Sequence, residues 1–326
     1  MTVPGGSSSE ASGFPAAQET PVVLRMLAHP GLANPLAPHG ALLLVQLFFG
    51  SLPVMGKVVL RHVPAMALVG FRVVGGALLL LLCARLVRAP RITAFKDWSM
   101  LLVLALLGVF FNQILYIEGL ARTTALNAAV LTTTIPVITT VLSILMGQEK
   151  YGWLKGAGIA LSLVGALRVL GVDELSLANE HLVGNLFILG NTISYSLYLV
   201  LARTLLSKYE SLSVITPIFL ISSVLLLPLA LPAWGQIEVS TVPPLAWGLA
   251  LCIVLFPTVG AYLLNIWALK RTKPSVVVVY IYLQPLVATF LSTMLLGEAL
   301  TVRLMVSALL VFAGVYLVGR ARAREA

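Results

Sequence analysis

The sequence predicts an all-α membrane protein of ten transmembrane helices, arranged as two inverted five-helix repeats. Three observations lead there: the composition, the length of the apolar runs, and an internal repeat at a spacing of 149 residues. Of 326 residues, 59% are hydrophobic and only 10% are charged. A soluble domain carries about 45–50% apolar and about 25% charged residues. So few charges cannot cover a water-facing surface of this size, which excludes the soluble, disordered, collagen-like and disulfide-rich classes. Residues 41–49, 101–111 and 307–318 form continuous apolar runs. A membrane barrel would instead alternate apolar and polar residues.

Residues 1–38 are rich in Gly, Ser, Pro and Ala and hold no long apolar run. No basic stretch precedes an apolar core there, so they read as a disordered cytoplasmic tail and not as a cleaved signal. A helix needs about 20 apolar residues to cross the hydrocarbon layer. Spans are expected near 39–60, 65–87, 98–120, 124–146 and 151–170, then 182–206, 212–233, 243–269, 274–296 and 301–319. The first five make one repeat over 39–171 and the second five another over 182–319, with 320–326 left as a cytoplasmic tail.

Orientation follows from the basic residues of the loops. With the N-terminus in the cytoplasm, 15 lysines and arginines fall on the inner side and 5 on the outer side, with Arg72 inside a span. Both termini are therefore expected in the cytoplasm. The same bias accounts for the net charge of +9, and no basic stripe with interleaved aromatics points to nucleic acid. The only cysteines, Cys83 and Cys252, lie in apolar runs as small hydrophobes. No metal-ligand spacing appears, and no cofactor is expected. Nothing in the pattern speaks to oligomeric state.

Residues 111–149 align without gaps on 260–298, with 11 of 39 positions identical. The pairs Arg122/Arg271, Thr123/Thr272, Pro136/Pro285 and Glu149/Glu298 carry the signal, since aliphatic matches are cheap in so apolar a chain. Gly165/Gly314 extends the register. A repeat of five helices must re-enter the membrane from the opposite side, the arrangement of secondary transporters with a site at the repeat interface. Residues 127–150, with Pro136 and Glu149, and residues 275–300, with Gln284-Pro285 and Gly297-Glu298, resemble the two copies of the EamA domain. Phe71-Arg72 fits the same pattern. Gln148-Glu149 departs from it, since the family more often has Gly-Glu and Gly147 sits one position early. The span 39–319 is similar to ten-helix EamA members of the drug/metabolite transporter superfamily. The resemblance implies a multi-pass carrier of the bacterial inner membrane, often an exporter of amino acids or related metabolites.

Candidate site residues come from polar groups at helical spacing. These are Asn112, Gln113 and Tyr116 in the third span, and Asn191, Tyr195 and Tyr198 with Ser194 in the sixth. Thr258, Tyr262 and Asn265 follow in the eighth, Tyr280 and Gln284 in the ninth. An amide in lipid is costly unless paired, so each set should face the bundle interior. There it either lines a cavity for a small polar ligand or ties helices together. Arg72 either snorkels to the interface or offers a cation to a carboxylate, and Lys57 has the same two readings. Pro136 and Pro285 each remove a helical hydrogen bond and are candidate hinges. Trp267 is expected in an interfacial belt.

Acidic residues are few. Asp97 and Asp173 fall in loops, and Glu118 is expected to pair with Arg122 one turn on instead of serving as a proton site. Glu149 and Glu298 are read as caps of the helices that follow them. Gly152 and Gly156 form a GxxxG read as a packing contact. The histidines, His29, His39, His62 and His181, fall in the tail or loops, so the catalytic constellation of an enzyme is not expected; a channel would show a charged ring. The expectation is alternating-access transport of a small polar metabolite, amino-acid export being the specific reading. Efflux of drugs or hydrophobic cations is the alternative; the partners expected are that small molecule and the lipid bilayer.

Overall fold

A computed structural model describes residues 36–147, 150–170, 181–269, 280 and 283–325, and every regular element among them is helical. We label them α1 (Ala37–Val59), α2 (Ala65–Leu86), α3 (Phe95–Arg122), α4 (Ala125–Leu145) and α5 (Trp153–Leu170). There follow α6 (Leu182–Leu206), α7 (Ser211–Gly235), α8 (Pro244–Ile253 continued by Val254–Gly260 and Ala261–Leu269), α9 (Leu283–Leu296) and α10 (Val302–Glu325). Eight of them are long and apolar enough to cross a membrane; α9 is a shorter apolar helix, and α5 has 18 residues. Residues 1–35, Glu149 and Asp173, for which the sequence carried expectations, lie outside the described residues. α10 runs on to Glu325, so 320–325 continue a helix where a separate tail was expected.

The helices are apolar outside as well as inside. Leu78, Val224 and Leu309 are each more than 60% exposed. Side chains of this size belong in hydrocarbon on a chain with too few charges to solvate itself. Inside, backbone irregularities are matched by side-chain donors. α3 and α8 each contain a π-helical turn, at Leu106–Phe110 and Val254–Gly260. The 149-residue shift carries the first onto 255–259, within the second. Such a turn disrupts the regular hydrogen-bond ladder and leaves carbonyls to be satisfied from elsewhere. Ser222 on α7 donates to the Ala105 carbonyl at 3.0 Å, Ser194 on α6 to Leu107 at 2.7 Å, and Thr258 to Ile253 within α8 at 2.9 Å. Ser194 is thus an interhelical tie.

α4 is interrupted at Thr133–Thr134, just before Pro136. The proline cannot donate to the fourth residue back, and threonine hydroxyls serve the carbonyls around the gap. Thr132 donates to Ala128 and Ala129, Thr133 to Val130 and Thr134 to Leu131, all at 2.6–3.0 Å. α9 has a π turn at Ser292–Leu296, and α4 ends without one. That explains the displaced glycine: Gly147 and Gly297 both adopt left-handed backbone, φ 69° and 66°, as helix terminators. The π turn takes up the one residue by which their positions differ.

α5 packs on α10 through glycine. A Cβ on Gly165 would stand 2.8 Å from the Ser307 carbonyl and Val311 Cγ2, and one on Gly314 would stand 2.4 Å from the Gly158 carbonyl and 2.7 Å from Ser162 N. The 149-residue shift turns the first contact into the second, so the seam is reciprocal. Ser162 Oγ donates across it to the Val311 carbonyl at 3.1 Å, between two equivalent positions. The close approach uses Gly158, Gly165 and Gly314. Gly156 of the expected GxxxG instead faces Tyr151 on its own stretch of chain.

Four local expectations change. Glu298 does not cap α10: its two oxygens accept from Ala125 N and Leu126 N, both at 2.9 Å, so it caps the N-terminus of α4. Thr301 caps α10, through the Leu304 N–H at 3.2 Å. Asp97 lies in the first turn of α3, where Tyr209 Oη donates to it at 2.7 Å and Lys208 Nζ at 3.3 Å; that carboxylate pushes the Tyr209 phenol above its ordinary pKa. His39 belongs to α1 and bonds the Tyr280 hydroxyl at 2.8 Å. Trp267 is buried within the bundle, where a belt residue would face lipid.

Candidate functional site

A cavity of about 260 Å³ lies among α1, α2, α3, α4, α6, α8 and α9. The backbone features just described aim residues into it. Asn112, Gln113 and Tyr116 follow the π turn of α3, and Tyr262 and Asn265 follow that of α8. Thr132, Ile135 and Pro136 border the break in α4. Asn191 and Tyr195 come from α6, Gln284 from α9 and Arg72 from α2.

Of the residues expected from spacing, the cavity therefore brings together Arg72, Asn112, Gln113, Tyr116, Asn191, Tyr195, Tyr262, Asn265 and Gln284, with the hinge candidate Pro136. Three stand elsewhere. Tyr198 backs the wall, its ring stacked on Tyr195 with centroids 5.5 Å apart. Tyr280 pairs with His39. Pro285 is buried in α9 and does not line the cavity, whereas Pro136 does.

α1 contributes residues that helical spacing does not single out. Gln46, Phe49, Gly50 and Pro53 all line the cavity. Gln284 Nε2 donates to Gln46 Oε1 at 2.7 Å, so each amide satisfies part of the other. Phe49 meets the Tyr262 ring edge-on at 6.4 Å. A Cβ on Gly50 would lie 2.7 Å from Val287 Cβ and 2.8 Å from the Gln284 carbonyl, which is how α9 comes close enough for that amide pair. The signal was available: Gln46 is a lone amide inside the apolar run 41–49, and an amide at membrane depth demands a partner.

Other amides do two jobs. Asn191 Nδ2 donates to the Asn112 carbonyl at 2.8 Å while its side chain borders the cavity. Among the lining residues Arg72 is the one with a formal charge. It is 3% exposed; its Nε donates to Thr258 Oγ1 at 3.3 Å, and its Nη1 has no hydrogen-bond partner. It is buried in the bundle and does not snorkel outward. Gln113, 4% exposed, leaves its Oε1 without a partner. Glu118 stands away from the cavity and forms an ion pair with Arg122 one turn on, whose guanidinium also donates to the Glu118 carbonyl at 2.7 Å. No group of three or more His, Cys, Asp or Glu able to hold a metal occurs among the described residues.

Comparison with known proteins places this architecture. An uncharacterized transporter of Bacillus subtilis, YetK, is 28% identical over 76% of each chain. An uncharacterized transporter of Archaeoglobus fulgidus is 27% identical over 68% of this chain and 76% of its own. A WAT1-related protein of Arabidopsis thaliana is 24% identical over 66% of each chain. One solved crystal structure superposes with a TM-score of 0.58 at 18% identity, over 87% of this chain and 96% of that one, a likeness of fold. The model of the EamA-like transporter family matches twice, over residues 38–171 and 182–320, and by these two matches the chain belongs to the EamA-like transporter family.

Proposed function

We propose that this membrane transporter is a secondary carrier of small polar metabolites, working by alternating access across the bacterial inner membrane, with amino-acid export as its specific activity. In this reading ten helices cross the bilayer as two inverted repeats, with both termini in the cytoplasm. One observation carries it: a small cavity walled by amides and tyrosines, of which Gln113 and Tyr262, and Tyr116 and Asn265, occupy equivalent positions 149 residues apart. A site at the repeat interface is where a carrier of this architecture holds its cargo, because exchanging the conformations of the two copies exposes one site to either side. The prolines and π turns supply the backbone discontinuities such a movement needs.

Efflux of hydrophobic cations fits less well. A cationic ligand would meet Arg72, with no carboxylate among the lining residues to offset it. The family and the relatives' names are those of transporters and not of enzymes.

The test is counterflow in proteoliposomes. Vesicles preloaded with one unlabelled amino acid, with no ion gradient, should transiently accumulate its labelled form. Loss of that accumulation in Asn112→Ala or Tyr195→Ala would tie it to the cavity. No accumulation across a panel from small neutral to aromatic amino acids, in intact vesicles, would remove amino-acid export as the activity.

A further inference from the structure

Glu298 ties the second copy to the first at the end of the bundle where α1 finishes. Its two oxygens accept from Ala125 N and Leu126 N, both at 2.9 Å. Those residues are 0% and 2% exposed, leaving little room for water to replace the bonds. Thr124 serves the next donors, its hydroxyl accepting from Asn127 N at 3.0 Å and its carbonyl from Ala128 N at 3.1 Å. The carboxylate thus serves two first-turn N–H groups that have no acceptor within their own helix. The left-handed turn at Gly297 and a bond from Glu298 N to the Ser292 carbonyl at 3.3 Å hold it there. The contact also stands between two open spaces. Along α1 the cavity takes Gln46, Gly50 and Pro53, and one turn later a second recess of about 210 Å³ takes Lys57, Leu60 and Arg61. Along α9 the cavity takes Gln284 and Ala288, the recess Leu296 and, past the helix, Glu298. α4 reaches the cavity at Ala129, one turn beyond the capped residues. Glycine brings the helices together at this level: a Cβ on Gly56 would lie 2.7 Å from Leu120 Cδ2, and one on Gly119 2.9 Å from the Gly184 carbonyl.

We propose that Glu298 is a gate residue: its carboxylate latches the cavity shut against the recess, and the latch must release each time the cavity opens to that face. This rests on the carrier reading, under which that face is the outer one, and it names the contact that outward opening breaks. The latch spans the two copies, so movement of one copy against the other parts α9 from the start of α4. The break in α4 makes this parting local. Ala125–Thr132 pack on α9, and Ile135–Leu145, beyond the break, pack chiefly on α6. On release, two buried N–H groups and a carboxylate need water. An opened face admits that water and a closed one does not, so latching and dehydration go together. The freed carboxylate would share the recess with Lys57 and Arg61, so the open state carries no isolated charge. Glu298 does not line the cavity, and its role is in access and not in recognition of the cargo.

The experiment uses the full-length protein in membrane vesicles of either orientation. Cys83→Ser and Cys252→Ser remove the native thiols, and Ala129→Cys places a reporter on the cavity wall. A membrane-impermeant thiosulfonate, added to one face at a time, reads access from the rate of labelling. Labelling from the recess side should be slow in this background. Glu298→Ala removes both bonds and should raise that rate about tenfold or more, while the rate from the opposite face holds or falls. Ala125→Pro leaves the carboxylate in place and removes one donor. Proline suits the first position of a helix, and the second copy carries one at the equivalent position, Pro274. Thr124 already has the extended backbone that precedes a proline, φ −78° and ψ 157°. This variant should raise the rate about fivefold, keeping the test decisive if Glu298→Ala folds poorly. Glu118→Gln, which alters a carboxylate paired with Arg122, should change neither rate. A cap that only stabilises the fold would leave both rates unmoved, or raise them alike on the two faces. Either result, found in both Glu298→Ala and Ala125→Pro, overturns the proposal. Counterflow separates the two claims. Exchange by the wild type with labelling unmoved in both variants would remove the latch and leave the carrier; one-sided labelling without exchange would do the reverse.

Discussion

Along the cavity wall, an amide of one copy stands where the other copy carries a tyrosine or an aliphatic side chain. Shifted by 149 positions, Gln46 becomes Tyr195, Gln113 becomes Tyr262, Tyr116 becomes Asn265 and Ile135 becomes Gln284, and every one of these residues lines the cavity. Arg72 becomes Ile221, which does not line it. The framework behind them is far more alike. The π turns of α3 and α8 overlap under the shift, and the α5–α10 seam is reciprocal glycine for backbone. The backbone is therefore under one constraint, to pack two equivalent halves closely. The inward surface is under another, to present unlike groups to one molecule. Such a wall offers hydrogen bonds and aromatic faces in exchange across the repeat, and a single charge with no counterpart.

The two halves differ most sharply where α1 approaches α9. Gly50 and Leu199 are equivalent, and both line the cavity. Making the halves alike with Gly50→Leu drives a side chain into Val287 and the Gln284 carbonyl. Backbone cannot yield as a flexible side chain can, so a loss of about 3 kcal/mol is expected. Thermal unfolding in detergent should fall sharply, while Gly40→Ala, with nothing within 4 Å of its Cβ, leaves the midpoint in place.

The α5–α10 seam is alike in both halves. Gly165→Ala and Gly314→Ala insert equivalent methyls against backbone, at 2.8 and 2.4 Å respectively. Each should lower stability by about 1–3 kcal/mol, with Gly314→Ala the more severe. Equal stability of both variants and wild type would mean the seam opens freely.

A smaller effect separates the amides. Gln284→Ile makes α9 match Ile135 and orphans Gln46, which should cost about 1 kcal/mol. Adding Gln46→Leu should recover most of it, since an apolar pair leaves nothing unsatisfied. A double-mutant cycle on thermal stability reads the coupling, and additive losses would show that the 2.7 Å bond contributes nothing.

Much of this was legible in the sequence, and the rest was hidden for definable reasons. Apolar run length located the helices because membrane thickness sets it. Helical spacing found Asn112, Tyr116, Asn191, Tyr195 and Tyr262 because a buried amide or phenol needs an interior. The π turns left no pattern, since one extra residue in a uniformly apolar helix changes no periodicity. Glu298 was assigned to the wrong helix because its partners, Ala125 and Leu126, lie over 170 positions away in the chain; sequence proximity favoured α10. Pro285 in α9 and Tyr280, ahead of it in the chain, both stand off the cavity surface, and spacing alone cannot set the rotation of a helix about its axis.

The smallest expected effect concerns the one carboxylate that could have carried coupling protons. Glu118 is equivalent to Trp267, which is buried, so a proton site there would exist in one copy alone. Glu118 also keeps its cation beside it, and the side chain of Arg122 is 46% exposed. Exposed pairs of this kind contribute at most a few tenths of a kcal/mol, about 0.3–0.5 at this helical spacing. Glu118→Gln should therefore move the unfolding midpoint by a degree or so. It should leave both exchange and gradient-driven uptake at wild-type rates, compared in the same vesicles. Uptake lost while exchange survives would assign coupling to this glutamate, and the two halves would then differ in energetics as well as in the chemistry of the wall.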